Sequence, residues 1–265
     1  MTDSLKNGVH PHCNVLGVQV SAISMEQAIL LAEERIRERG KGYICVTGVH
    51  GVMEAQRDST LMEILNKSFI TTPDGMPTVW VGHMQGHTQM SRVYGPDFML
   101  ELCARSPKAG YRHFLYGGND GVAERLAAVL RERFPGLEIV GTYTPPFRPL
   151  NADEKADLAA KVSAARPDVL WVGLSTPKQE RFMAEYLNQL DTSLMVGVGA
   201  AFDIHTGGIS DAPAWMKQAG LQWLHRLFQE PRRLWKRYLI NNPLFVWKIA
   251  LQTVGLRRYS TSSGS

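Results

Sequence analysis

Apolar and polar positions along this chain fall into short blocks whose period switches between two and about 3.6 residues. Residues 15–24, VLGVQVSAIS, alternate and predict a strand. The next block, MEQAILLAEERIRER, predicts a helix that opens at a Ser24-to-Gln27 capping box and stops at Gly40. Residues 43–47 predict a strand, followed by a glycine-containing loop and a helix from about Gly51. An apolar run over 68–73 breaks at Pro73 and gives way to a helix near Thr78. The alternation of strand, turn and helix continues with a strand at 112–116, a helix at 122–134 and a strand at 137–142. Asn151 is placed to cap a helix running to Ala165, and 168–174 and 193–203 predict two further strands. About five such repeats predict an α/β fold, a Rossmann-like, mainly parallel sheet with helices on both faces.

The pattern changes after residue 210. Leu221, Leu224, Leu227 and Phe228 form an apolar stripe at helical spacing. Pro231 breaks or restarts the helix, and Leu234, Trp235, Tyr238 and Leu239 continue it beside Arg232, Arg233, Lys236 and Arg237. This divides the chain into an α/β domain at 1–210, a basic amphipathic helical appendage at 211–259 and a disordered tail at 260–265. From Trp215 onward nine Lys or Arg face one acid, Glu230, a local charge of +8. Because the 265-residue chain carries +4 in all, the remainder is mildly acidic. A basic helix interleaved with Trp, Tyr and Phe fits an anionic membrane surface. It also fits a C-terminal helix packed on its own domain with a solvated basic face.

Composition narrows the classes. No apolar run approaches the roughly 20 residues that span a bilayer, and the polar start MTDSLKNGVHPHCN lacks a leader's apolar core, so a cytoplasmic protein is expected. Cys13, Cys45 and Cys103 fit no zinc spacing, and Cys45 reads as a buried apolar residue. His83 and His87 are four apart but lack the Glu of a metalloprotease helix, so no metal site is expected.

Candidate chemistry gathers at the strand-to-helix turns, where open α/β sheets bind ligands. Thr47 and His50 follow one strand and Asp74 another. Gly117 and Gly118 follow a third, and Lys178, Gln179 and Glu180 a fourth. Asp74, on a Pro/Gly turn, is either a helix cap or a free carboxylate for proton transfer. The glycines at 117 and 118 would let a ligand approach the backbone, yet GxGxxG is missing, which argues against a nicotinamide-dependent oxidoreductase. A lipid- or nucleic-acid-binding module built on the basic tail would leave Asp74, Arg92 and Gln179 without a purpose.

The ordered pieces PDGMPTVW, RVYGPDFM, FLYGGNDGVAERL, TPPFR, VGLSTPKQERF, GVGAAFDIHTGG, APAWMKQAGLQWLHRLFQEPRRLWKRYL and NNP resemble the WecG/TagA/CpsF glycosyltransferases, family 26, over roughly residues 14–251. The resemblance implies a GT-E type fold and inverting transfer from a UDP-sugar, such as UDP-N-acetylmannosamine or a hexose donor. The acceptor would be a sugar on undecaprenyl diphosphate at the inner face of the cell membrane, in surface polysaccharide synthesis. It implies no cofactor and no nucleic-acid partner, and it allows a homo-oligomer. Asp74 would be the base, and Thr47, Arg92 and Gln179 would be polar active-site residues. Arg226, Arg232, Arg233 and Arg237 would stabilise the diphosphate and meet the membrane. Two positions depart from the family pattern. Val49 stands where Asn is usual, with His50 beside it as the candidate replacement, and Asp211 stands where Arg is usual.

Overall fold

The computed structural model describes residues 10–261. The polar start at 1–9 and the last four residues of the 260–265 tail lie outside that range. A two-stranded sheet pairs β1 (His12–Val15) with β2 (Val18–Ser21), and a six-stranded parallel sheet flanked by helices carries the fold. Its strands are β3 (Gly42–Thr47), β4 (Ile70–Pro73), β5 (Arg112–Gly117), β6 (Glu138–Tyr143), β7 (Val169–Gly173) and β8 (Leu194–Gly197). They lie in the order β4-β3-β8-β7-β5-β6. The expected Rossmann-like α/β architecture is present, with a long C-terminal helix.

Residues 29–44 and 95–210 form one compact unit. Its central strands β7 and β8 are almost continuous apolar runs, as parallel strands covered on both faces must be. Helix α1 (Met25–Arg37) begins with reciprocal bonds between Ser24 and Gln27, at 2.9 and 3.3 Å. Four more helices flank the strands: α5 (Gly95–Ala109), α6 (Val122–Arg133), α7 (Ala152–Ala165) and α8 (Lys178–Tyr186). Asn151 caps α7 in a full capping box with Glu154. Helix α5 was not expected from the sequence, although Phe98, Met99, Leu102 and Cys103 are buried at helical spacing. The expected last strand, 193–203, ends early at Gly197, and Ala201–His205 is helical (α9). Trp171 lies at the centre of this unit, fully buried. Its indole N–H donates to His113 Nδ1 at 2.9 Å, and His113 Nε2 bonds Ser106 Oγ at 2.8 Å. Burial pushes the His113 imidazole down to about 3, so the ring is neutral.

Residues 10–28, 45–94 and 211–261 form the second unit. The alternating block at its start is a hairpin rather than one strand. Leu16 (φ 53°) and Gly17 (φ 91°) make the two-residue turn, and both have the positive φ that such tight turns require. Helices α2 (Val49–Ala55), α3 (Ser59–Asn66) and α4 (Met76–Met84) follow β3 and β4. The C-terminal segment forms α10 (Ala214–Gln218), α11 (Gln222–Gln229) and α12 (Pro231–Thr253), with Pro231 at the first helical turn of α12.

One stripe of α12, Leu234, Asn241, Phe245 and Ile249, is buried. Asn241 accepts from Arg57 at 3.0 Å. Gln252 clamps the hairpin, accepting from Leu16 N at 3.0 Å and donating to Asn14 O at 2.8 Å. The other face leaves Trp235, Leu239, Ile240, Val246 and Trp247 exposed. No helix among the described residues is long and apolar enough to cross a membrane. All three cysteines are buried thiols.

Candidate active site

Two strand ends meet in the second unit. Thr47 closes β3 and Asp74 follows the last residue of β4, and the Asp74 amide donates to the Thr47 carbonyl at 3.0 Å. Between them Gly48 allows contact at backbone distance, since a Cβ there would lie 2.6 Å from the Asp74 carbonyl. Helix α4 is capped by Gly75 with no side-chain bond, so Asp74 is not the cap that the turn also allowed. Thr47 is 2 % exposed, and its buried hydroxyl has no hydrogen-bond partner among the described residues. An unpaired buried hydroxyl costs free energy unless something binds it. His50 lies on the first turn of α2 with Nδ1 3.8 Å from Glu54 Oε1.

The basic tail supplies cations in the same unit. Arg226 donates from Nη2 to Glu230 at 2.8 Å, and Arg233 reaches the same carboxylate at 2.7 Å. The Nε groups of Arg226 and Arg237 are buried without a hydrogen-bond partner among the described residues. Burial pushes the Arg237 guanidinium below its ordinary range. Arg226 and Arg233 act in the same direction, while Tyr238 and the Asp74 carboxylate oppose them. Arg232 and Arg233 are exposed, whereas the Nε atoms of Arg226 and Arg237 are enclosed.

Arg92, in the same unit, stands between two partners. Its Nη1 donates to Gln222 Oε1 at 3.0 Å, and its guanidinium carbon stands 4.4 Å from the Tyr94 ring centre. Tyr94 is 6 % exposed and donates its hydroxyl to Asp211 at 3.1 Å. Asp211 also pairs with Lys217, whose ammonium lies 5.0 Å from the same ring centre. Burial first, then the charges of Asp211 and Asp74, push the Tyr94 phenol far above its ordinary range, so it remains a donor. Tyr94, Gln222 and the use of Asp211 as an acceptor escaped the sequence reading. The only local signal is that Tyr94 shares the RVYGPD segment with Arg92.

The remaining candidates belong to the first unit. Gly117 ends β5 with φ 122°, and a Cβ there would lie 2.6 Å from the Gly173 carbonyl, which accepts from Gly118 N at 3.1 Å. The pair thus lets the ends of β5 and β7 close on each other. Gln179 is 3 % exposed. Its Oε1 accepts from Gly199 N at 3.0 Å, and its Nε2 donates to Glu180 at 3.0 Å. Glu180 also accepts from Thr176 at 2.9 Å. In this structure the Gln179 amide braces the turn that leaves β8.

Residues 13–259 match the model of the WecG/TagA/CpsF glycosyl transferase family. The chain is 30% identical over 185 residues to an N-acetylglucosaminyldiphosphoundecaprenol N-acetyl-beta-D-mannosaminyltransferase of Bacillus subtilis (strain 168), covering 70% of each chain. It is 31% identical over 204 residues to the enzyme of the same name from Bacillus spizizenii (strain ATCC 23059 / NRRL B-14472 / W23), covering 76% of this chain and 77% of that one.

Proposed function

The chain belongs to the WecG/TagA/CpsF glycosyltransferase family, and from that premise we propose that it moves N-acetylmannosamine from a UDP-sugar to N-acetylglucosaminyldiphosphoundecaprenol with inversion. The names of both Bacillus relatives support this choice of acceptor and transferred sugar. The observation that carries the proposal is the pair of enclosed Nε groups on Arg226 and Arg237, in the unit that presents Asp74 and with the Asp74 charge acting on Arg237.

Asp74 accepts the proton of the acceptor hydroxyl as its oxygen bonds to the anomeric carbon. The bond from that carbon to the donor's β-phosphate oxygen breaks, and the electron pair leaves with UDP. Arg226 and Arg237 offer guanidinium N–H groups to the growing phosphate charge, in surroundings drier than bulk water. Thr47 offers its unpaired hydroxyl to substrate, with His50 and Arg92 as further contacts. The exposed Trp235, Leu239 and Trp247, beside Lys236 and Lys248, rest on the anionic surface that carries the acceptor lipid.

The test is UDP release from a panel of UDP-sugars with a short-chain lipid diphosphate N-acetylglucosamine acceptor. Acceptor-dependent turnover with one donor, lost in Asp74→Asn while UDP still binds, supports the reaction and the base together. UDP binding with no turnover from any donor overturns it.

A further inference from the structure

The structure gives the Asp211 carboxylate three partners. They are the Tyr94 hydroxyl, the Ala212 amide at 2.8 Å and the Lys217 ammonium. Five residues after Lys217 the chain reaches α11, whose first residue, Gln222, accepts from Arg92. The short segment 92–94 therefore grips the tail twice, through Tyr94 at residues 211–217 and through Arg92 at residue 222. The same segment is fixed to the strand that presents Asp74. Val93 N donates to Pro73 O at 3.0 Å, and Thr72 Oγ1 donates to Val93 O at 3.4 Å. One helical turn beyond Gln222, on the same face of α11, is Arg226.

We propose that Arg92, Tyr94 and Asp211 form a clasp that fixes the distance between the Asp74 turn and Arg226, with Tyr94 and Asp211 acting as positioning residues for the transfer. This rests on the reading of Asp74 and Arg226 given above. Helix α11 needs such a clasp, because none of its residues is buried. Helix α12 holds it too, through Trp223 against Tyr238 at 5.9 Å and Glu230 between the two arginines. A helix with no fully buried residue opens locally at low cost. An opening would carry Arg226 away while Asp74 stayed in place.

Two measurements on the full chain test this. The first is amide hydrogen exchange across residues 214–230 in Tyr94→Phe and, should that variant fold poorly, in Asp211→Asn, which keeps the shape but loses the charge. Exchange there is expected to rise by about tenfold or more, with residues 241–252 of α12 unchanged. Unchanged exchange at 214–230 in a folded variant overturns the clasp, and this readout needs no turnover. The second is a double-mutant cycle on kcat between Tyr94→Phe and Arg226→Ala. If Tyr94 acts through Arg226, its roughly tenfold loss nearly disappears once Arg226 is gone. Losses that multiply would show that Tyr94 acts by another route. Absence of turnover in the native enzyme would sink the transfer reading alone, with the exchange result still deciding the clasp.

Discussion

The turn after β4 and the turn leading into α8 look alike in the sequence. Each follows a buried strand, holds a proline and presents a polar side chain where parallel sheets bind ligands. The structure treats them in opposite ways. Around Gln179 every polar atom of the amide is used by the protein, so the turn is a rigid brace. Around Asp74 the neighbouring Thr47 hydroxyl and the Arg226 and Arg237 Nε groups are buried with no hydrogen-bond partner among the described residues. Both turns are equally polar in composition. What separates the Gln179 amide from the Thr47 hydroxyl is that the protein already satisfies the first.

The strongest way to break that comparison is to remove its chemistry. Asp74→Asn keeps the size and the backbone bond to Thr47, so kcat should fall by about a thousandfold with the melting temperature held. A fall below tenfold in steady-state turnover would leave Asp74 without the role of base. Next is Thr47→Val, an equal-volume change that deletes an unpaired hydroxyl. We expect kcat/KM to fall by about tenfold and thermal stability to stay level or rise, because no internal bond is lost. A drop in melting temperature would mean that the hydroxyl has an internal partner after all.

Gln179→Leu sharpens the other side. It removes the side-chain acceptor of Gly199 N and one of the donors to Glu180 in a buried place, so a loss of about 1–3 kcal/mol is expected in urea unfolding. A raised KM with stability intact would instead make Gln179 a substrate contact. The smallest effect is pH dependence from His113. Its folded pKa lies near 3, below the ordinary value of 6.5, so the unfolded chain takes the proton first. Its contribution is complete above about pH 6.5 and declines as pH falls toward 3. Replacing His113 with Gln should flatten the acid limb of a melting-temperature profile.

Legibility followed the range of the forces involved. Asn151 was identifiable as a cap because a capping box is complete within four residues, and the structure shows both of its bonds. Strands β5 and β7 were legible because strands covered on both faces need unbroken apolar runs. The hairpin was misread because Leu16, a residue that rarely takes positive φ, gives no turn signal before Gly17. Asp74 was legible as a candidate, since a carboxylate on a Pro/Gly turn is a local fact. The clasp was not, because Tyr94 meets Asp211 across 117 positions and Arg92 meets Gln222 across 130.

The Gln252 clamp on the hairpin bears on how the protein is made. Its partner Asn14 lies 238 positions earlier in the chain, so the clamp cannot close until translation has nearly finished. The unit formed by residues 29–44 and 95–210 is complete in sequence more than forty residues before Gln252 emerges. During synthesis that unit is free to settle first. The part that carries Asp74 and the tail arginines gains its last hydrogen bonds only as the C-terminus arrives, so a chain cut short within α12 would hold one complete unit and one unfinished one.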